Sequence, residues 1–299
     1  MFNFKKLHIV KYTLTLLFAS VILTGCEKVV DVDLEEGEKL LVVDAWLTNQ
    51  DKPQVVRLTE SAPYFSNVPA PVISSAQVKV KDLTNLKEYV FSYAGDGNYV
   101  FTPSVLDTFG IVNHSYQLVV DYDGDSYVAN SFLNRTTLVD TIEYEFREES
   151  IGVKEGYFAF FVGQDSIGKQ DFYWVRTYRN NSFLNKPGQI NVCVDGSFGS
   201  EGNNGSDGIY FIPPIAQGIN DSDDPYQLGD SLRVEIHSLT AGSYFYITQM
   251  QGQLTNGGLF AITPENLTTN IVKKTSATSL KAVGWFNMAA VHSKGVRIQ

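Results

Sequence analysis

Between Lys39 and Phe132 the chain is written in short runs of alternating apolar and polar residues, separated by turn residues: KLLVVDAWL, PQVVRLTE, AQVKVKD, KEYVFSY, NYVF, HSYQLVVDY and SYVANSF. A period of two is the mark of strands with one buried face. In AQVKVKD, Val78 and Val80 point one way while Gln77, Lys79 and Lys81 point the other. In HSYQLVVDY, Tyr116, Leu118, Val120 and Tyr122 share a face. Asp123-Gly124 between the last two runs fits a two-residue hairpin turn. Seven short strands at this spacing predict an Ig-like β-sandwich over residues 39–135.

A boundary is expected near NRTTLVD (134–140), after which strands resume in a second β-rich domain, 136–299; a length of 299 residues fits two domains. LVDTIEYEF, GYFAFFVG and DFYWVRTYR are greasier than the first set, which predicts burial on both faces. SLRVEIH reads as a further strand, and LKAVGWFNMAAVH (280–292) as one closing strand. One segment breaks the rhythm. In SLTAGSYFYITQMQGQL, Leu239, Tyr244, Ile247, Gln251 and Leu254 fall on one helical face, so a helix is expected near 239–254 with Ser238 as its N-cap and Gly242 as a weak point. The stretch 196–208, GSFGSEGNNGSDG, carries a glycine at every third position but no proline; it cannot hold a triple helix and reads as a flexible loop.

The first 25 residues form an export signal. Lys5, Lys6 and Lys11 precede an apolar run from Tyr12 to Leu23, well short of the roughly 20 residues that span a bilayer. The run ends in Leu23-Thr24-Gly25-Cys26, which resembles the bacterial lipobox. In signals of that kind the cysteine thiol is acylated by diacylglycerol and becomes the first residue of the mature chain, so Cys26 is the expected lipid attachment site. Each buried CH₂ of such chains contributes about 0.8 kcal/mol to anchoring. Residues 26–38 then form an acidic tether: Glu27, Asp31, Asp33, Glu35, Glu36 and Glu38 stand against a single Lys28. Such a run stays solvated, and its place directly after the cysteine resembles the surface-export signals of Bacteroidota lipoproteins.

Removing residues 1–25 takes away three lysines and no acid, which moves the formal net charge from −10 to −13. A chain this acidic with no basic stripe is not built for nucleic acid. With Cys26 acylated, Cys193 is the only thiol left and no intrachain disulfide can form; its alternating apolar neighbours in INVCVDG predict a buried strand thiol. The fold must be held by its core.

Candidate chemistry is sparse. Asp121, Asp123 and Asp125 have the spacing of a calcium-loop start, but Ser126 and Phe132 stand where a glycine and a bidentate glutamate are needed. Asp221, Asp223 and Asp224 form a second acidic run, a weak metal candidate that reads better as a solvated turn before Pro225. His114, His237 and His292 are isolated and match no zinc spacing. No nucleophile elbow and no phosphate-binding glycine-lysine loop occurs, so no catalytic residue and no cofactor are assigned. Tyr64 and Phe65, in the proline-flanked loop SAPYFSNVPAPVISS, are the partner- or ligand-contact candidates, with core filling as the alternative. Three triplets, Asp140-Thr141-Ile142, Asp165-Ser166-Ile167 and Asp230-Ser231-Leu232, resemble the O-glycosylation site of exported Bacteroidota proteins.

The order of lipobox, acidic tether, LVVDAWLTN, AQVKVKD, SYQLVVDYDGDSYVA, LGDSLRVEIHSLTAGSYFYITQM and a closing AVGWFNMAAV resembles the DUF4249 family of Bacteroidota lipoproteins over essentially the whole mature chain. Its most specific pieces are GDSLRVEIHSLTAGSYFY and Gly284-Trp285-Phe286. The resemblance implies an outer-membrane lipoprotein, lipid-anchored and facing the cell exterior, that serves as a binding or accessory subunit of a TonB-dependent receptor. It brings no active-site residue. A cell-surface hydrolase, or a structural or assembly component of the outer membrane, is the alternative.

Overall fold

A computed structural model describes residues 38–299 apart from 63–67, 105–106, 200–203, 258–260, 262, 264 and 275–281. The seven alternating runs become β1 (Leu41–Thr48), β2 (Gln54–Glu60), β3 (Gln77–Asp82), β4 (Lys87–Gly95), β5 (Asn98–Phe101), β6 (Ser115–Tyr122) and β7 (Asp125–Phe132). The faces are those that the period assigns. Leu41, Val43, Ala45 and Leu47 of β1, Val78 and Val80 of β3, and Tyr116, Leu118 and Val120 of β6 are buried in one core. Asp123 (φ 52°) and Gly124 (φ 76°) turn β6 into β7 with both central residues at positive φ, the geometry that the twist of a two-residue hairpin prefers.

The two layers of this part are one continuous sheet. Lys87 to Phe91 of β4 pair with β3, whereas Ser92 to Gly95 pair with β5 across a register shift, so β4 turns the corner between the layers. The sheet runs β14-β7-β6-β3-β4-β5-β2-β1-β15, where β14 is Val272–Lys273 and β15 is Ala282–Ala289. Its ends approach each other: the N–H of Met288 in β15 donates to Ser131 Oγ in β7 at 3.0 Å. A mainly β chain with a nearly closed large sheet results.

The second half supplies β8 (Thr141–Arg147), β9 (Gly156–Val162), β10 (Phe172–Arg179), β11 (Ser182–Phe183), β12 (Asn191–Val194), β13 (Ser231–Leu239) and β16 (Val291–Arg297), with α1 (Pro213–Ala216) and α2 (Ala241–Leu254). β8 and β9 pair with each other, and β10 lies between β13 and the shorter β11 and β12. Ile142, Phe161, Tyr173, Val175, Cys193, Val234 and Ile236 fill its core. Cys193 is the buried strand thiol expected of it, and burial pushes its pKa up. The first core lies mainly before the boundary expected near residue 135 and the second after it. Ile271, Phe286 and Met288 nevertheless belong to the first, so the C-terminal stretch serves both.

That stretch corrects the single closing strand. LKAVGWFNMAAVH breaks at Ala290, whose N–H donates to Ser238 Oγ (2.9 Å) and whose carbonyl accepts from the Ser238 N–H (2.9 Å). Before the break, β15 pairs in parallel with β1 from Leu41↔Ala282 to Thr48↔Ala289. After it, β16 pairs antiparallel with β13. Ser238 thereby acts as a switch between partners, which also corrects its expected role as a helix cap. The N-cap of α2 is Thr240, whose Oγ1 accepts from the Ser243 N–H at 3.1 Å.

Ser243 is the hub of the joint between α2 and the sheets. Its hydroxyl donates to Asn287 Oδ1 (2.7 Å) and accepts from Trp285 Nε1 (2.8 Å), while Thr240 Oγ1 lies at 2.7 Å. One donor and two acceptor sites are thus all in use. Gly242 follows from the same joint, because a Cβ there would lie 3.2 Å from the Trp285 ring. Ser243→Ala leaves the buried Trp285 N–H and Asn287 carbonyl unpartnered and should lower the unfolding free energy by about 2–3 kcal/mol, read from the urea midpoint.

Candidate functional site

Of the residues singled out by sequence, Cys26, Tyr64 and Phe65 lie outside the described residues. The acidic run lies in a turn. Asp221 takes Lys186 Nζ at 3.0 Å and the Asp223 N–H at 3.0 Å, and the lysine contact with its hydrogen bond holds that carboxyl below its ordinary range. Asp224 faces Arg179 at 3.1 Å. Among the described residues, no group of three or more such side chains could hold a metal. Asp125 pairs with Lys273 at 2.5 Å, beside the hairpin that explains the acids there. The ends of the 196–208 loop are tied down: Gly208 N–H donates to the buried Asp165 (2.9 Å), which also accepts from Tyr173 Oη (2.5 Å). His114 Nδ1 sits 2.8 Å from Asp82, and His292 Nδ1 accepts from the Val139 N–H at 2.9 Å.

The chemically pointed cluster lies elsewhere, on the face of β10 and β13 turned away from their core. The antiparallel register sets Trp174 opposite His237, Arg176 opposite Glu235, and Tyr178 opposite Arg233. The intervening residues, Tyr173, Val175, Val234 and Ile236, are the ones in the core. Period two therefore places six large side chains in a cross-strand ladder. Phe183 of β11 stands opposite Tyr178. From the outer face of β1, Trp46 packs edge-on to Trp174 with ring centroids 5.4 Å apart. The expectation that DFYWVRTYR is buried on both faces thus gives way to one core face and one half-buried aromatic and charged face.

Within the ladder the charges are unevenly matched. Glu235 is fully buried and accepts from Arg233 Nη1, with His237 Nε2 at 2.9 Å from its other oxygen. Burial pushes the Glu235 carboxyl up, but the His237 hydrogen bond and the charges of His237, Arg233 and Lys52 outweigh it and hold the pKa at about 2. Burial pushes His237 down to about 4, against the pull of Glu235. His237 is therefore neutral at pH 7 and donates to the carboxylate.

Arg176 has no such partner. Its guanidinium carbon lies 4.1 Å from the Phe183 ring centre, 4.7 Å from Trp174 and 5.7 Å from Tyr178. Its Nε is buried without a hydrogen bond, and among the described residues no carboxylate comes within 4.0 Å of it. Aromatic faces hold this arginine in place, and its donors stay free. Burial lowers its pKa, but a guanidinium starts too high to lose its proton. Asp44 of β1 reaches solvent, yet desolvation raises its carboxyl against the attraction of Arg57 and Arg176. Lys52, just after β1, is likewise accessible but lowered, first by burial and then by Arg176 and Arg233. This face offers guanidinium donors beside aromatic rings, which suit binding; its one histidine is closed off by Glu235.

A separate cavity of about 310 Å³ lies beside β9, walled by Phe160, Phe161, Val162, Tyr210, Phe211 and Pro213. Its lining is mainly apolar, includes Gln217, and has no carboxylate, histidine or cation.

Over residues 27–295 the sequence matches the family described as domain of unknown function DUF4249. The chain belongs to that family. No curated protein matches it. The stretches that carried the resemblance in sequence now have a structural reading. GDSLRVEIHSLTAGSYFY is β13 with the start of α2, Gly284-Trp285-Phe286 lies in β15, and the two meet at the Ser243 joint. The first also carries Arg233, Glu235 and His237. In sequence, His237 is an isolated histidine with no zinc spacing, and Arg233, Glu235 and Arg176 read as ordinary strand residues. The available signal was charge at alternate positions in otherwise greasy strands, Arg176 in DFYWVRTYR and Arg233 and Glu235 in SLRVEIH.

Proposed function

We propose that this DUF4249 member is a ligand-binding lipoprotein, acylated at Cys26 and held at the outer membrane facing outward, that acts as the capture subunit of a TonB-dependent transporter. The observation carrying the binding role is Arg176, a half-buried arginine held against three rings, whose buried Nε makes no hydrogen bond and which has no carboxylate partner among the described residues. A buried polar group left unsatisfied costs about 1–3 kcal/mol, a cost that a fold retains where a ligand completes the site. The leader ending at Cys26 and the acidic residues 27–38 support the anchor and its outward direction. Anchoring confines the protein to the plane of its partner and raises the effective concentration beside it.

The test is affinity purification of the lipidated protein from mild-detergent outer membranes, with Cys26→Ala as control. The wild type should incorporate labelled palmitate and bring down a TonB-dependent barrel. Cys26→Ala should lose the label, leave the membrane fraction almost completely and recover no barrel. A wild type recovered alone from intact membranes would overturn the transporter partnership, and a Cys26→Ala variant that stays membrane-bound would overturn the anchor.

A further inference from the structure

We infer that the cavity beside β9 binds one aromatic residue of an extended polypeptide, whose own N–H and C=O pair with those of Phe161. This site is separate from the Arg176 face and from the transporter partnership.

A strand turns the peptide groups of alternate residues to opposite edges. On the edge of β9 away from β8, Tyr157 exchanges two hydrogen bonds with Tyr226, at 2.9 and 3.1 Å. Ala159 exchanges two with the side-chain amide of Asn220, at 2.8 and 2.7 Å. Just past the strand, the Gly163 carbonyl accepts from the Phe211 N–H at 3.0 Å. Phe161 lies between them and faces the same way, yet among the described residues neither its N–H nor its C=O has a partner. The cause is in the sequence. Continuing the antiparallel line from Gly163 and Phe211 sets Pro213 opposite Phe161, and proline has no N–H to give. Pro213 opens α1, and the Ile212 N–H turns away to the Gly196 carbonyl at 2.9 Å. The edge is left with a gap one residue long.

The cavity lies at that gap. Phe160, Phe161, Val162 and Gly163 all line it. Successive strand side chains point to opposite faces, so four consecutive residues meet one cavity only along the strand's edge. Buried Phe161 is the floor, and Phe160, Tyr210 and Gln217 reach solvent at the rim. A buried peptide N–H and C=O left unpaired are rare and costly. One incoming residue in extended conformation satisfies both.

The walls define that residue. A volume of about 310 Å³ is at the small end of ligand sites, roughly 300–1,000 Å³, and suits one large side chain. The rings of Phe161 and Phe211 lie 5.2 Å apart, and with Phe160 and Tyr210 they offer an aromatic lining to an aromatic guest. No charged group lines the cavity, so the ammonium and carboxylate of a free amino acid would lose water without gaining partners. An internal residue of a chain brings the donor and acceptor without the charges. Main-chain pairing with a pocket for one side chain is how extended peptides add to a sheet edge; here the bonds to Asn220 and Phe211 on either side limit the addition to a single residue.

The probe is N-acetyl-phenylalanine methylamide, titrated into the full lipidated protein in detergent with its phenylalanine nitrogens isotope-labelled. The amide resonances of Phe160, Phe161 and Phe211 should shift saturably, while those of Phe91 and Phe286 in the first core should stay in place. Methylating the probe's phenylalanine nitrogen removes the donor, and replacing its phenylalanine by glycine removes the ring; each should weaken binding by about tenfold or more. Ala216→Leu, which builds into the cavity, should weaken the parent probe to a similar degree. Tyr210→Ala, at a largely exposed ring, should weaken it severalfold and is the readout if Ala216→Leu fails to fold. The absence of any saturable shift would overturn the inference. So would equal binding by the N-methylated or the glycine probe, by free phenylalanine, or by toluene, which carries the ring without peptide groups. Co-purification of a barrel is read separately, so a failure here leaves the transporter partnership standing.

Discussion

Gly284→Ala should be the most destabilising single-methyl change in the described chain, lowering the unfolding free energy by about 3–5 kcal/mol. Gly284 sits at φ +98°, a conformation that a side chain disfavours, and its cross-strand partner is Val43. An ideal Cβ at this position lies 1.9 Å from the Val43 carbonyl oxygen and 2.8 Å from its carbon. Backbone, unlike a side-chain tip, cannot swing away, so either β15 moves off β1 or the chain accepts the φ strain elsewhere. Backbone strain at such a residue costs on the order of 1–3 kcal/mol and overpacking a further 1–3. The parallel β1–β15 ladder has no hairpin to restore its register, and Phe286 and Met288 would be pulled from the first core with it. Gly252→Ala is the matched control. It adds the same methyl within α2, where nothing lies within 4 Å, and should raise stability by roughly 0.5–1 kcal/mol through helix propensity. Urea midpoints at constant m-value compare the two; a Gly284→Ala midpoint equal to the wild type's would refute the close approach.

What could be read from the sequence was whatever is local. Alternation in AQVKVKD and HSYQLVVDY fixes which side chains face inward, because a strand's period needs no knowledge of its partner. Asp123-Gly124 is likewise a property of two residues. The helix was visible in the spacing of Tyr244, Ile247, Gln251 and Leu254, but its start was not. Ser238 and Thr240 are equally good caps by chemistry, and the choice falls to Thr240 because Ser238 is taken by Ala290. The break at Ala290 was invisible for the same reason: the apolar run from Met288 to Val291 continues through it, and only the change of partner from β1 to β13 marks it. The charged and aromatic cluster was hidden by register. Arg176 and Glu235 become neighbours only through the pairing of β10 with β13, and in isolation each looks like one charge on a strand's outer face.

Glu235→Gln should cost about 3 kcal/mol at pH 7 and remove the carboxyl's own share of the acid-side decline in stability. The carboxylate is wholly buried, accepts from Arg233 and lies 2.9 Å from His237 Nε2. Replacing it leaves Arg233 and the buried His237 without the carboxylate that both bond, the situation in which breaking a buried pair costs about 3–5 kcal/mol. The low end is expected, because Arg233 is partly exposed and can rehydrate. In the wild type both members of the pair make acid destabilising. Glu235 titrates at about 2 in the fold, below the ordinary ~4.3, so its contribution is complete above that value and is lost as pH falls toward 2. His237 titrates at about 4 in the fold, below the ordinary ~6.5, so between 6.5 and 4 the unfolded chain takes up the proton first and stability falls with pH. Each window corresponds to a change on the order of 3 kcal/mol, and because the two groups share one hydrogen bond the changes do not simply add. Glu235→Gln should keep the decline between pH 6.5 and 4, where buried His237 still resists protonation, and carry it on below pH 4, because His237 without the pull of Glu235 resists the proton further; only the decline from the Glu235 carboxyl itself is lost. Urea midpoints taken at intervals from pH 7.5 to 3 on both proteins cancel the contribution of the other carboxylates. A wild type with the same stability at pH 7 and pH 4.5 would show that His237 is not buried as a neutral donor to Glu235.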